Sequence, residues 1–242
     1  MTDPTRRVED YRAARERVLA RIDSACARAR RAPAEVSLVA VSKTVGAELL
    51  RDAVAAGLDR LGENRVQEAL AKAPDVPGAH WELVGPLQSN KARRALEVFG
   101  SIQTVDSVEL ARRLDRLVPE VRPGARYPVL LQVNVDDDPA KAGFAPGRVD
   151  AALGELLDLE HLDIRGLMTV GRLTTDPAEA RGTFGGLRTL SERSRVRWPE
   201  LGGELSMGMS DDFELAVEEG ATIVRVGRAL FGERPQPQTP AV

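Results

Sequence analysis

The chain has 242 residues, a formal net charge of −3, and 29% charged residues of mixed sign. That length buries a substantial core and suits one α/β barrel or two small domains, while the balanced charge leaves no basic footprint for nucleic acid. No apolar run approaches the roughly 20 residues of a membrane span, the N-terminus lacks a signal-like apolar core, and the single cysteine, Cys26, excludes an intrachain disulfide and suits a reducing cytoplasm.

In chain order, residues 5–31 read as one amphipathic helix with Val8, Tyr11, Ala14, Val18 and Ile22 on its apolar side. Its arginines alternate with acidic residues, as on a solvated face. Pro33 closes it, and residues 36–44 follow as a continuous apolar run ending on Lys43-Thr44. Such a run, with helix periodicity starting again at Ala47, reads as a parallel strand covered on both faces. Strand-like and helix-like segments then alternate. Strands are expected at 59–62, 81–84, 102–105, 128–135, 163–169, 204–207 and 222–226. Helices are expected from Glu63-Asn64 to Leu70, over 88–98, after an Asp106 or Ser107 cap, up to about Leu157, from Asp176-Pro177, and from Asp211. Eight strands with intervening helices and no linker predict a single closed (β/α)8 barrel over residues 1–234, with an open doubly wound sheet as the alternative. The Pro- and Gln-rich residues 235–242 read as a disordered tail.

In a barrel the C-terminal strand ends share one mouth. Here they are Lys43, Glu63-Asn64, Gly85 to Gln88, Asp106, Asn134, Met168, Ser206 to Ser210, and Arg225-Val226-Gly227. The last two groups supply hydroxyls, glycines and helix starts at the place where barrels commonly hold phosphate. A lysine facing such a cradle suggests pyridoxal 5'-phosphate (PLP) held as a Schiff base.

Several motifs carry a closer likeness. Ala40-Val41-Ser42-Lys43-Thr44, Gly62-Glu63-Asn64-Arg65-Val66-Gln67-Glu68 and Gly85-Pro86-Leu87-Gln88-Ser89-Asn90-Lys91 resemble signatures of the YggS/PROSC family of PLP homeostasis proteins, similar in fold to the N-terminal barrel of alanine racemase. So do Gly166-Leu167-Met168 and the block from Leu205 to Asp211 with Arg225, Gly227, Phe231 and Gly232. The resemblance runs from about Val36 to Arg234. It implies PLP on Lys43, its phosphate held by Ser210, Gly227 and the amide of Arg228 with Ser206 nearby, Arg225 facing the pyridine nitrogen, and Asn64 and Met207 lining the ring. Leu61, Arg65, Glu82, Asp138 and Gly171 depart from the usual family residues, Glu82 standing where histidine is common.

The same residues bear on catalysis. An arginine at the pyridine nitrogen disfavours its protonation and so opposes electron-sink chemistry. Racemisation needs an acid or base on the ring face opposite Lys43. Yet Tyr11 and Cys26 fall in the first helix, Tyr127 at the opening of strand five, and neither His80 nor His161 at a strand's C-terminal end, with only about ten residues after the barrel. The reading is therefore a cytoplasmic PLP carrier, monomeric or weakly dimeric, whose partners are PLP and apo-enzymes as acceptors, with no nucleic acid or membrane. An amino-acid racemase or other minimal PLP enzyme is the alternative, and a cofactor-free Schiff-base aldolase a remoter one.

Overall fold

A computed structural model describes residues 8–124, 126–172 and 174–232. The expected tail, 235–242, and the first three residues of the expected N-terminal helix lie outside the described residues.

Eight strands pair in sequence order, all parallel, and the eighth closes onto the first. They are β1 (Ser37–Val41), β2 (Arg60–Glu63), β3 (His80–Leu83), β4 (Ser101–Val105), β5 (Tyr127–Gln132), β6 (Leu162–Met168), β7 (Glu204–Ser206) and β8 (Ile223–Val226). The helices are α1 (Val8–Ala29), α2 (Ala47–Ala55), α3 (Val66–Lys72), α4 (Ala92–Val98), α5 (Val108–Val121), α6 (Val149–Leu156), α7 (Pro177–Arg197), α8 (Phe213–Glu218) and the single turn α9 (Arg228–Phe231). Ser107 caps α5 by accepting from the Leu110 amide, and Asp176 caps α7 with Pro177 in its first turn.

Because successive strand residues face opposite ways, each strand divides its side chains between barrel interior and helix layer. Val39, Val84, Leu130, Met168 and Ile223 form a small interior cluster, with Val41 and Val170 packed against it. The larger core lies between strands and helices, where Ala40, Leu61, Leu83, Val224 and Val226 meet the helices. The N-terminal helix α1 buries Tyr11, Ala14, Val18, Ile22, Ala25 and Cys26, a stripe at three- and four-residue spacing. Tyr11 meets Phe231 edge-on with centroids 5.8 Å apart, and Arg31 donates to the carbonyls of Val217 and Ala221, tying α1 to the last βα unit. Burial raises the Cys26 thiol above its ordinary range, which leaves it an inert packing residue.

Several boundaries differ from the sequence reading. β1 stops at Val41, so Lys43 sits in the turn after it. Glu63 stays in β2 and the helix waits until Val66, because the Glu63 side chain finds partners within the helix layer. A 3₁₀ turn, Ser89–Lys91, precedes α4. β5 leaves its ladder after Gln132 as Val133 bridges to Phe144 in the following loop.

Gly166 shows how tightly β6 and β7 meet. Its φ is +152°, and a Cβ there would lie 2.0 Å from the Glu204 carbonyl oxygen. Gly166→Ala should therefore destabilise the fold by about 3 kcal/mol or more. Gly147→Ala, where a Cβ meets nothing within 4 Å, should stay within about 0.5 kcal/mol. Denaturant unfolding of the two variants checks both.

Candidate functional site

Strand parity decides which residues reach the mouth. On β1, Val39 and Val41 face inward, and the next residue of that parity is Lys43. On β8, Ile223 and Arg225 face inward, and Gly227 follows. These residues meet in a cavity of about 250 Å³ lined by Lys43, Asn64, Ser210, Arg225, Gly227 and Arg228, with Val41, Val84 and Val170 as apolar walls. Six of the eight residues expected at the site thus share one cavity.

The turn that carries Lys43 is held from below. The Ser42 amide donates to the Gly62 carbonyl at 2.9 Å, and Val45 closes the turn by donating to the Ser42 carbonyl at 3.0 Å. Thr44 within it has φ +69°, an unusual conformation for a β-branched residue. Beneath lies a buried ion pair that the sequence reading missed. Lys72 Nζ donates to Glu63 Oε1 at 2.6 Å and to the Ser42 carbonyl at 3.2 Å, while Ser42 Oγ donates to the same carboxylate oxygen at 2.9 Å. Glu63 is fully buried. Burial pushes its carboxyl above the ordinary range, and the Lys72 ammonium pulls it back only in part. Two further lysines, Lys91 and Lys141, sit elsewhere. Lys91 lines a neighbouring cleft of about 520 Å³ with Arg65 and Gln88, and Lys141 donates to the Val170 carbonyl at 3.2 Å beside Asp138.

On the strand next to β1, the Gly227 amide donates to Ser210 Oγ at 3.2 Å, joining the loop after β7 to the start of α9. Ser210 does not cap α8. Asp212 stands at the N-cap position without a side-chain cap bond; its carboxylate accepts from the preceding Met209 amide at 2.6 Å, and burial holds it above the ordinary carboxylate range. The Arg228 side chain pairs with Asp211. Gly227 has φ −113°, so no left-handed turn demands a glycine there. A Cβ would instead sit 3.3 Å from the Val41 carbonyl oxygen, at the cavity wall.

Arg225 is 4% exposed. Its Nη1 donates to Ser206 Oγ at 2.6 Å and its Nη2 to the Thr169 carbonyl at 2.7 Å. Burial lowers its pKa to about 10, with Asp212 acting in the other direction, so the guanidinium stays charged at neutral pH. Two of the eight expected residues lie outside the cavity lining. Ser206 does not line the cavity: it lies fully buried beneath Arg225, which its hydroxyl serves. Met207 has the opposite parity and packs fully buried in the larger core, away from the cavity wall. The sequence signal that could have separated them is the period of two along β7.

Fold and site together define the class, a (β/α)8 barrel with its functional groups gathered at the C-terminal mouth. A family model described as alanine racemase, N-terminal domain, matches residues 18–235. A pyridoxal phosphate homeostasis protein of Pseudomonas aeruginosa is 44% identical over 90% of this chain and 93% of its own. The structure of PipY from Synechococcus elongatus PCC7942, with PLP bound, is 45% identical with a TM-score of 0.77, covering 87% of this chain and 100% of that one. An alanine racemase of Clostridium difficile shares the fold at 16% identity, with a TM-score of 0.66 over 84% of this chain and 53% of its own. The chain belongs to the YggS/PROSC family of pyridoxal phosphate homeostasis proteins.

The lock under Lys43 makes a test of its own. In Lys72→Met, Glu63 keeps its burial but loses its cation, a change that should cost about 3–5 kcal/mol near neutral pH. A carboxyl whose pKa is raised on folding binds its proton more readily in the folded state. Its contribution therefore favours folding at low pH and turns against it as pH rises through the carboxylate range. Lys72→Met should steepen that loss, and adding Glu63→Gln should abolish it. Urea unfolding of the single and double variants at about pH 5 and pH 8 reads this directly.

Proposed function

We propose that this protein binds PLP, holds it as a Schiff base on Lys43, and passes it on as part of PLP homeostasis. The observation that carries the reading is the convergence of Lys43, Ser210, Gly227 and Arg225 on one cavity at the barrel mouth. PLP supplies a reactive aldehyde and an aromatic ring able to take up electrons. The residues present suit it. Lys43 offers the amine. Ser210 Oγ already accepts from Gly227, which leaves its own proton for a phosphate oxygen, and the Arg228 amide opens the α9 turn beside it. Asn64, Val41 and Val84 would flank the ring, and Arg225 would meet the pyridine nitrogen from below. Ser206 acts through Arg225 in this reading, and Met207 is a core residue.

The carrier reading is preferred to a racemase because of where the proton-transfer groups sit. Tyr127 opens β5 at the far end of the barrel, and its hydroxyl donates to the Phe99 carbonyl at 2.8 Å. Burial holds that phenol well above its ordinary pKa. His80 begins β3 and His161 precedes β6, both at the end opposite the mouth. Tyr11 and Cys26 are buried in α1. Arg225, fixed as a donor, cannot take a proton from the pyridine nitrogen.

Residues 1–234 act as one domain in this reading, and the protein works in the cytoplasm, which its lone buried thiol suits. Apo-enzymes are the acceptors. A monomer or weak dimer fits the surface. Among the described residues the exposed large apolar side chains are Val196 and Met209, far less than an obligate interface presents. No described helix is long and apolar enough to cross a membrane.

Borohydride reduction of the PLP-loaded protein should fix the label on Lys43, and Lys43→Ala should lose the visible absorption band. A label on Lys91 or Lys141 in the unmutated protein would move the site. Gly227→Val should weaken PLP binding by about tenfold or more while changing the unfolding midpoint little, since the crowding falls on the cavity wall. Unchanged affinity would remove Gly227 from the phosphate site.

A further inference from the structure

A buried hydrogen-bond chain runs down the barrel axis from Arg225 to the opposite end. Arg225 Nη1 donates to Ser206 Oγ at 2.6 Å, Ser206 Oγ donates to Gln103 Oε1 at 2.6 Å, and Gln103 Nε2 donates to Glu82 Oε2 at 2.7 Å. Glu82 also accepts from Arg60 Nε at 2.7 Å and from Ser101 Oγ at 3.2 Å. Arg225, Ser206, Gln103 and Glu82 are all at most 6% exposed, so water does not compete for these bonds. Glu82 and Gln103 line the barrel floor with Arg60, Arg165 and Glu204, and the chain passes the apolar interior layer to reach the mouth.

The direction of every link follows from its end. An ionised carboxylate only accepts, with or without a paired arginine, so Gln103 must turn its NH₂ group toward Glu82. The Gln103 carbonyl then faces Ser206 and only accepts, so the Ser206 hydroxyl must donate to it. That leaves the Ser206 lone pairs to Arg225, whose guanidinium can only donate. One arrangement satisfies all four groups, and it fixes the guanidinium that lines the cavity.

We propose that Glu82, though it touches no part of the cavity, is a positioning residue for PLP: it sets the direction of this chain and thereby the orientation of Arg225 at the mouth. The proposal rests on the reading that the cavity holds PLP with Arg225 toward its pyridine nitrogen. In Glu82→Gln, which keeps the shape, a second arrangement opens. The new amide can donate to Gln103 Oε1, Gln103 then donates to Ser206, and the Ser206 proton is left to compete with Arg225. The guanidinium loses its single resting place.

The test compares Glu82→Gln with Arg60→Gln. Both variants lose the Arg60–Glu82 ion pair at the floor, but only the first frees the direction of the chain. PLP affinity is read by titrating the visible band, the asymmetry of the bound ring by its induced circular dichroism, and stability by thermal unfolding of each protein without cofactor. Glu82→Gln should bind PLP about three- to tenfold more weakly, the scale of one buried hydrogen bond, with a reduced visible dichroism. Arg60→Gln should hold affinity within about twofold and keep the dichroism, whatever its midpoint does. Should Glu82→Gln fail to fold, Ser206→Ala breaks the same chain with little change of volume and should give the same two optical changes. Equal losses in Glu82→Gln and Arg60→Gln would show that barrel stability alone is at work and would overturn the proposal, as would wild-type affinity and dichroism in Glu82→Gln. A wild-type protein that binds no PLP would instead remove the cofactor reading, and this proposal with it.

Discussion

A guanidinium buried inside a parallel barrel is the constraint around which the rest of the site is arranged. Removing such a charge from water is costly unless every donor finds a partner. Arg225 is held by a hydroxyl and a backbone carbonyl, both neutral, and burial lowers its pKa to about 10. Neither contact cancels its charge. The barrel mouth therefore carries a positive group of fixed orientation, suited to the unprotonated face of a ring nitrogen and unsuited to supplying or taking a proton. Arg225 also forces the polar interior below it, because the serine that serves it must itself be satisfied.

Two strands away, past β1, a different device is used. There the buried charge is a carboxylate, and it is directly paired. Glu63 gathers Lys72 and Ser42 beneath the turn that presents Lys43. Lys72 spends its donors on Glu63 and the Ser42 carbonyl, and Lys141 on the Val170 carbonyl. The amines around the mouth are thereby sorted by geometry: those two brace the frame, while Lys43 lines the cavity. Arg225 lines the cavity itself, whereas the Glu63–Lys72 pair lies beneath the turn that carries Lys43 and holds its backbone.

Much of this was legible in the sequence. Apolar runs of strand length alternating with helical periodicity gave the barrel, the polar residues after each run gave the mouth, and the stripe through Tyr11, Ala14, Val18 and Ile22 gave the outer helix. What was not legible depended on facing and on distance in space. Ser206 and Met207 look equally suited to a ligand until strand parity sends one under Arg225 and the other into the core. Glu63 reads as the start of a helix because its partner, Lys72, lies nine residues on and returns only through α3. Glu82 reads only as a departure from the usual family residue, since Gln103 reaches it from β4 and Ser206 reaches Gln103 from β7.

The central claim is that this barrel keeps PLP available without using it. The most direct measurement follows the purified, PLP-loaded protein in two parallel reactions: with D- and L-amino acids in deuterated water, monitoring loss of optical activity and α-deuterium uptake, and with an apo-form of a PLP-dependent enzyme, monitoring recovery of that enzyme's activity. The account predicts recovery of the acceptor together with amino-acid turnover far below roughly 1 s⁻¹, the low end of ordinary enzymes. Turnover at or above that rate, or PLP that never reaches the acceptor, would contradict it.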